Sequence, residues 1–224
     1  MKQHIVAFIP ARKGSVSIPN KNMKLFHNRP LVYWSIIQAL NTVNINEVIV
    51  SSDCVDILLL AKELGAVPIK RPSDISDSHA STESAVIHYL NHTISVPDII
   101  VLLQPTSPLR LPSDIRRSLT IFNSKNLDSL FSAVEGNDFN LWKHKHKKLQ
   151  SFTYDYLNRG RRQEKSPQYC ENGSIYIFKT SIIKECNNRL GGTFDMFLQE
   201  FWQCFQLDTH EDWTFCELLF DGYL

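Results

Sequence analysis

Three short apolar segments restrict the fold of this chain more than any other feature. They cover residues 5–9, 48–50 and 99–103, are rich in Ile and Val, and run directly into the polar stretches PARKGS, SSDC and QPTSPLR. Apolar character that is continuous rather than alternating is typical of strands buried on both faces of a parallel sheet. The sequence therefore predicts a buried parallel sheet with polar loops at the strand ends.

Stretches with helical spacing separate these strands. Residues 30–40 begin with a proline, residues 55–64 end at Gly65, and residues 81–90 begin with a Ser or Thr cap. Residues 209–220 form a last predicted helix. Strand–helix alternation predicts an α/β fold with a doubly wound, mostly parallel sheet. Ligands of such sheets lie outside the carboxyl ends of the strands, which places the three polar loops on the ligand side.

The chain length and its apolar content predict one domain. The 224 residues are 43% hydrophobic, enough for a single α/β domain over residues 1–224. Residues 136–170 are polar and basic without a clear period, and eight of the 24 Lys and Arg residues lie between Lys143 and Lys165. We interpret residues 136–170 as an inserted arm within this domain rather than as a second domain.

Composition gives no support for several classes of partner. The net charge of +1 gives no reason to expect nucleic acid or a membrane as a partner. The five cysteines form no CxxC pair, which fits reduced thiols in the cytoplasm. The longest apolar run is far shorter than a membrane span, and the N-terminal apolar run is too short for a signal peptide. A soluble cytoplasmic protein is expected.

The first polar loop, PARKGSVSIPNKN, has the residues of a phosphate site. Gly14 permits close backbone approach, and Arg12, Lys13 and Lys21 supply positive charge. The loop is neither a Walker A sequence nor GxGxxG. On these residues alone, a phosphate site is favoured, and an ordinary basic connection between a strand and a helix is the alternative interpretation.

Several segments resemble, in order and spacing, the acylneuraminate cytidylyltransferase family of CMP-sialic and CMP-legionaminic acid synthetases. The string LLQPTSPLR at residues 102–110 stands unchanged from the family pattern. The other segments are PARKGSVSIPNKN, VIVSSDCVDI, RPSDISDSHASTESAVIHYL, RRQEKSPQYCENGSIYIF and QLDTHEDW, and together they span about residues 4 to 219. The resemblance implies a Rossmann-like nucleotidyltransferase that joins CTP to a nine-carbon keto acid sugar with Mg²⁺, as a homodimer whose basic arm packs on the partner.

The resemblance also implies roles for individual residues. The catalytic set is Arg12, Lys21 and Asp208, with Asp208 as the Mg²⁺ ligand. The nucleotide-binding set is Arg12, Gly14, Ser15, Lys21, Asn22, Arg71, Ser81 and Thr82. The sugar-binding set is Gln104, Arg161, Arg162, Gln163 and Asn172.

Four of these assignments have structural alternatives. Ser81 could serve only as an N-cap, and Asp208 could cap the last helix. Gln104 could belong to a polar turn, and RGRRQEK taken alone could be a solvated charged loop.

The chain departs from the family pattern at three places. Val16 and Ser17 stand where the family usually has Lys and Gly, so Lys13 or an arm residue would have to supply the missing charge. Gln206 stands where many members carry a second acid, which places a second metal ion in doubt. Cys170 replaces an arginine of some bacterial members, so no carboxylate contact is assigned to that position.

These departures leave other functions open. A synthetase for Kdo or pseudaminic acid is one alternative, and a homologue that binds a nucleotide or sugar with weak or no catalysis is another. A nucleic-acid role for residues 143–165 is the weakest, because such sites need a wider basic face and stacking aromatic side chains.

Overall fold

A seven-stranded sheet forms the centre of the computed structural model, which describes residues 3–15, 17–77, 79–136 and 140–223, without the side chain of Arg162. The strands of this sheet are β1 (Ile5–Pro10), β4 (Glu47–Ser52), β5 (Val67–Lys70), β6 (Ile99–Leu103), β7 (Ser129–Gly136), β10 (Gln168–Lys179) and β11 (Phe194–Gln199). Two small hairpins add β2 (Leu25–Phe26) with β3 (Arg29–Pro30), and β8 (Trp142–Lys145) with β9 (Lys148–Ser151). The order across the sheet is β11-β7-β10-β6-β1-β4-β5.

The predicted strands are confirmed, and so is the α/β fold class. Strand β1 pairs in parallel with both β4 and β6, and β4 pairs in parallel with β5. Residues Ile5 to Ile9 and all of β6 are buried, because helices cover both faces of the sheet. Burial on both faces explains why these segments are continuously apolar.

Six helices of the described chain flank the sheet, and those predicted from the sequence are all present. They are α1 (Leu31–Leu40), α2 (Val55–Glu63), α3 (Thr82–His92), α4 (Pro112–Ser124), α5 (Thr180–Cys186) and α6 (His210–Tyr223). Pro30 occupies the N-cap of α1 instead of its first turn, a shift of one residue from the prediction. Gly65 ends α2 with φ +92°, the left-handed conformation that favours glycine after a helix.

Strand β10 is the antiparallel member of the sheet. It lies between β6 and β7 and runs against both, whereas β7 and β11 are parallel to each other. Its register with β7 shifts between Glu171 and Tyr176, which marks a bulge that contains the sequence NGS. The bulge brings Asn172 and Gly173 to the edge of the sheet where the parallel strands end.

The arm contains a hairpin that the sequence pattern did not predict. Strands β8 and β9 pair antiparallel around His146 and Lys147, whose positive φ values of 50° and 63° suit a two-residue turn. The side chains of both strands are exposed apart from a half-buried Ser151. Since neither face is buried, the sequence lacks the apolar–polar alternation by which strands are recognised.

A third apolar cluster fixes the first loop against the C-terminal helix. It contains Ile18 of the first loop, Phe26 of β2, Leu31 of α1, Trp213 of α6, and Leu207, which precedes α6. The cluster thereby holds the beginning and the end of the chain together beside the sheet. Among the described residues, no helix combines the length and apolar character that a membrane span requires.

Candidate functional site

A cavity of about 320 Å³ lies at the carboxyl ends of the parallel strands. Its lining residues are Pro10, Arg12, Gly14, Ser15, Lys21, Asn22, Arg71, Ala80, Ser81, Thr82, Gln104, Pro105, Thr106, Gln206 and Asp208. All residues of the predicted catalytic and nucleotide-binding sets are among them, together with Gln104 of the predicted sugar-binding set. The structure thus brings residues from the first loop to the segment before α6 together in one place.

Hydrogen bonds hold the first loop in its conformation. The side-chain amide of Asn22 donates to the carbonyl oxygen of Arg12 at 2.8 Å, and the Lys13 N–H donates to Asp53 at 2.7 Å. Asn22 therefore lines the cavity with its amide nitrogen already used to shape the loop. Val16, where a lysine was expected, lies outside the described residues.

Lys21 and Asp208 form an ion pair at the wall of the cavity. The Lys21 Nζ lies 2.9 Å from Asp208 Oδ1 and also donates to the carbonyl oxygen of Leu207 at 2.7 Å. The Lys21 side chain is 10% exposed and that of Asp208 is 63% exposed. The lysine is therefore fixed in place, while the carboxylate remains accessible from the cavity.

Asp208 does not cap the last helix. The hydroxyl oxygen of Thr209 accepts from the Asp212 N–H at 3.1 Å, and the Asp212 carboxylate accepts from the Thr209 N–H at 2.7 Å. This reciprocal pair is a capping box, and it satisfies the start of α6. The Asp208 side chain is left to face Lys21 and the cavity.

Arg71 follows β5 directly and is 5% exposed. Its guanidinium donates to the carbonyl oxygen of Ser51 at 2.8 Å and to the Ser51 hydroxyl at 3.2 Å. Burial lowers the pKa of Arg71 to about 10, with Asp53 opposing the shift and Arg12 adding to it. Arg71 therefore remains a cation at neutral pH, held rigidly beside Arg12.

Helix α3 begins at the cavity. The Ser81 hydroxyl accepts from the Ser84 N–H at 3.1 Å, so Ser81 is the N-cap, as one of its two interpretations predicted. Ser81 and Thr82 also line the cavity, so capping does not exclude contact with a ligand. The helix start adds free N–H groups and the positive end of its dipole to this side of the cavity.

Arg110, the last residue of LLQPTSPLR, fixes the loop that carries Gln104 through buried hydrogen bonds. Arg110 is 1% exposed and donates to the Ser174 carbonyl oxygen at 2.6 Å and to the Ser35 hydroxyl at 2.7 Å. A longer contact of 3.5 Å reaches the Gln104 carbonyl oxygen. Burial lowers the pKa of Arg110 to about 9, with Asp114 opposing the shift. Arg110 thus connects α1, the loop and the bulge of β10.

The rest of the predicted sugar-binding set does not line this cavity. Asn172 is 2% exposed, and its side chain accepts from Ser132 and donates to Gln199 within the protein. Arg161 and Gln163 are exposed on the arm, and the side chain of Arg162 lies outside the described part of the chain. In the described chain, Asn172 therefore shapes the bulge, whereas the arm residues extend into solvent.

Gly173 makes room for two glutamines. Its φ is +66°, and a Cβ at this position would lie 2.7 Å from Gln206 Nε2 and 2.9 Å from Gln104 Oε1. The space that a side chain would fill is therefore occupied by two residues that line the cavity. This explains the glycine of NGS in physical terms.

Gly173→Ala is expected to impair the position of Gln104. The left-handed backbone should lower the free energy of unfolding by about 1 to 2 kcal/mol, and the displaced glutamine should lower kcat/KM by about tenfold or more. Gly65→Ala is the matched control, since Gly65 also has positive φ but a Cβ there would meet no neighbouring atom within 4 Å. Denaturant unfolding and kinetics of both variants test this, and equal kinetic effects would contradict it.

Sequence reasoning missed several lining residues. Gln206 was noted only as the absence of an acid, and Thr106 and Pro105 only as parts of a motif. Gln206 lies at the cavity because its amide donates to the Asn172 carbonyl oxygen at 2.8 Å. That contact depends on the bulge in β10, which no periodicity in the sequence reveals.

The lining is suited to polyanions. Its described residues include three cations, Arg12, Lys21 and Arg71, and one carboxylate, Asp208, which is already paired. Among them there is no cysteine or histidine to serve as a nucleophile or a general base. Chemistry here would depend on charge neutralisation and orientation, which is how phosphoryl-type transfer is catalysed.

Comparisons with known proteins match this chain to cytidylyltransferases and to a CMP-sugar synthase. A family model described as cytidylyltransferase matches residues 6–210. An N-acylneuraminate cytidylyltransferase from Oncorhynchus mykiss is 33% identical over 82% of this chain and 43% of its own length. A CMP-N,N'-diacetyllegionaminic acid synthase from Legionella pneumophila is 30% identical over 97% of this chain and 96% of its own length. The chain thus spans less than half of the fish relative and nearly all of the bacterial one.

Solved structures show the same fold. A CMP:2-keto-3-deoxy-manno-octonic acid synthetase in complex with CTP superposes with a TM-score of 0.73 at 16% identity, covering 99% of this chain and 100% of the other. A 4-diphosphocytidyl-2C-methyl-D-erythritol synthase from Anaerococcus prevotii gives a TM-score of 0.69 at 11% identity, with the same coverage. At these identities the likeness concerns the fold alone.

Proposed function

This chain belongs to the cytidylyltransferase family, and from that premise we propose that it joins CTP to a nine-carbon keto acid sugar of the sialic or legionaminic type. The anomeric hydroxyl of the sugar attacks the α-phosphorus of CTP. A CMP-sugar forms, and pyrophosphate leaves together with the proton of that hydroxyl.

The convergence of the three cations on one cavity is the observation that carries the proposal. Arg12 and Lys21 belong to the first loop and Arg71 follows β5, and hydrogen bonds to neighbouring groups hold each of them in place. A triphosphate bears several negative charges, and cations that are already ordered bind it without further loss of side-chain entropy.

The proposed transfer assigns different parts of the cavity to the two substrates. Arg12, Ser15, Lys21 and the backbone near Gly14 would contact the triphosphate. Arg71 and the start of α3 would lie toward the nucleoside. Gln104 would face the acceptor sugar. This contact would hold the anomeric oxygen of the sugar in line with the leaving pyrophosphate.

Mg²⁺ is part of the proposal, and the donor set fits it. Mg²⁺ is commonly bound through one or two carboxylates together with substrate phosphates and water. Asp208 offers one accessible carboxylate beside the proposed triphosphate site. Asp208 would hold the ion, which when bound neutralises charge that develops on the phosphates.

The identity of the sugar that the protein accepts distinguishes this proposal from its nearest alternative. A pseudaminic acid cytidylyltransferase from Campylobacter jejuni is 34% identical over 58% of this chain, so related keto acid sugars belong in the test. Purified protein with CTP and Mg²⁺ should release pyrophosphate with N-acetylneuraminic or legionaminic acid. Preference for Kdo or pseudaminic acid would favour the alternative, and no release beside an active control enzyme would favour a non-catalytic binding protein.

The proposal also includes that the protein is a homodimer in the cytoplasm. The arm presents exposed apolar side chains, among them Trp142, Leu149 and Phe152, next to its basic residues. A partner subunit that covers this surface would bring Arg161, Arg162 and Gln163 close to a sugar site. Sedimentation at micromolar concentration is expected to give a dimer, and a monomer would contradict this part of the proposal.

A further inference from the structure

Gln206 connects two of the loops that form the cavity. Its side-chain amide donates to the Asn172 carbonyl oxygen at 2.8 Å, and its oxygen faces the Thr106 hydroxyl at 3.5 Å. Asn172 belongs to the bulge of β10, and Thr106 to the loop that carries Gln104. Both ends of the Gln206 side chain are therefore directed at protein groups.

Backbone contacts fix the segment that carries Gln206. The Leu207 N–H donates to the Thr106 carbonyl oxygen at 2.8 Å, and the Leu207 carbonyl oxygen accepts from Lys21 Nζ at 2.7 Å. Leu207 itself is fully buried in the third apolar cluster. The position of Gln206 is thus set by the backbone on its C-terminal side as well as by its own amide.

Gln206 and Gln104 are also immediate neighbours. Both side chains reach the space above Gly173, with Gln206 Nε2 and Gln104 Oε1 each within 3 Å of the place that a Cβ would take. A change in the conformation of Gln206 would therefore alter the packing space that Gln104 shares with it above Gly173.

The chemistry of this position favours an amide over an acid. A carboxylate has no N–H to donate, and here it would face the Asn172 carbonyl oxygen. An unpaired acceptor at such a place costs free energy. The glutamine is thus suited to join two loops, with its amide directed at Asn172 and its oxygen facing the Thr106 hydroxyl.

We infer that Gln206 is a positioning residue for the acceptor sugar, which fixes Gln104 by bridging the Thr106 loop and the Asn172 bulge, and that it is not a second metal ligand. The inference rests on the proposed function.

Two variants separate the positioning role from metal binding. Gln206→Glu keeps the length of the side chain but loses the donor, and Gln206→Leu loses both polar ends. In both, KM for the acceptor sugar is expected to rise tenfold or more and kcat to fall. For Gln206→Leu, which adds no charge to the cavity, calorimetric affinity for CTP with Mg²⁺ in the absence of sugar should stay within about twofold of wild type, and so should the Mg²⁺ concentration at half-maximal binding.

A second pair of variants tests the same bridge from the other side. Thr106→Val removes the hydroxyl, and Thr106→Ser retains it. Thr106→Val should raise the acceptor KM, as Gln206→Leu does, but by less, because the hydroxyl contact is long. Thr106→Ser keeps the hydroxyl, so its acceptor KM should stay close to that of the wild type. A general loss of stability would not produce this order.

Each outcome has a definite meaning. A changed Mg²⁺ requirement for CTP binding, with an unchanged acceptor KM, would show that Gln206 is a metal ligand and would overturn the inference. Wild-type kinetics in the Gln206 variants would overturn it as well. Absence of turnover in the wild-type protein would instead overturn the proposed function, and this inference with it.

Discussion

Lys21→Met is expected to lower kcat/KM for CTP by about 10²- to 10³-fold, the range found when one preorganised donor to a developing negative charge is removed. Lys21 is buried and held at 2.9 Å from Asp208 and at 2.7 Å from the Leu207 carbonyl oxygen, so no reorganisation is needed when a phosphate binds. Methionine retains the apolar stem of the side chain and removes the charge together with the hydrogen bonds to Asp208 and the Leu207 carbonyl oxygen. It also leaves Asp208 without its cation, so repulsion of the triphosphate adds to the loss.

The matched control is Lys24→Met, three residues away. The Lys24 ammonium lies 4.3 Å from the centre of the Trp213 ring and does not line the cavity. Its replacement should change kcat/KM by no more than a few fold. Steady-state kinetics with denaturant unfolding of both variants check this, and a Lys21 variant within tenfold of wild type would contradict the assignment.

Arg110→Ala is expected to give the largest loss of stability, about 3 to 5 kcal/mol in the free energy of unfolding. This is the range for truncation of a large buried side chain, and partners left unpaired contribute to it. The groups left unpaired would be the Ser174 carbonyl oxygen and the Ser35 hydroxyl. Ser35→Ala removes one partner only and should cost about 1 kcal/mol.

Arg116→Ala serves as the control for this stability prediction. Arg116 lies on α4, six positions further along the chain, and is exposed. Surface substitutions of this kind usually change stability by no more than about 0.5 kcal/mol. Equilibrium unfolding in urea measures all three variants, and a loss below about 1 kcal/mol for Arg110→Ala would show that the buried guanidinium does not connect α1, the loop and the bulge as described.

The sequence was most informative where residues directly follow parallel strands. Arg12, Arg71 and Gln104 each lie within two positions of the end of β1, β5 or β6. Because the carboxyl ends of parallel strands meet at one edge, the convergence of Arg12 and Gln104 could be predicted before the structure was known. Strand β5 was not among the predicted strands, so the assignment of Arg71 depended on the family resemblance. The family resemblance also added Asp208, which, like Lys21 of the first loop, lies outside the strands and depends on the third apolar cluster for its place.

The sequence was least informative where a contact depends on irregular backbone. In the sequence, Asn172 is a polar residue before a glycine and could be taken for a ligand contact. In the structure, its side chain forms hydrogen bonds with Ser132 and Gln199 inside the protein. The bulge that turns it inward appears as a register shift against β7, which has no signature in apolar spacing. Gln206 gained its place through the same bulge. Polar residues at irregular backbone can therefore be placed only once the strand pairing is known.

The fate of each phosphate of CTP tests the central claim most directly. CTP labelled in separate reactions at the α- and at the γ-phosphorus is incubated with the protein, Mg²⁺ and N-acetylneuraminic or legionaminic acid, and the products are separated. We predict that the α-label appears in a sugar-linked CMP and the γ-label in pyrophosphate, in equal amounts. Transfer of the γ-label to the sugar or to orthophosphate, or no transfer of either label while CTP remains bound, would contradict the claim that this cavity catalyses cytidylyl transfer.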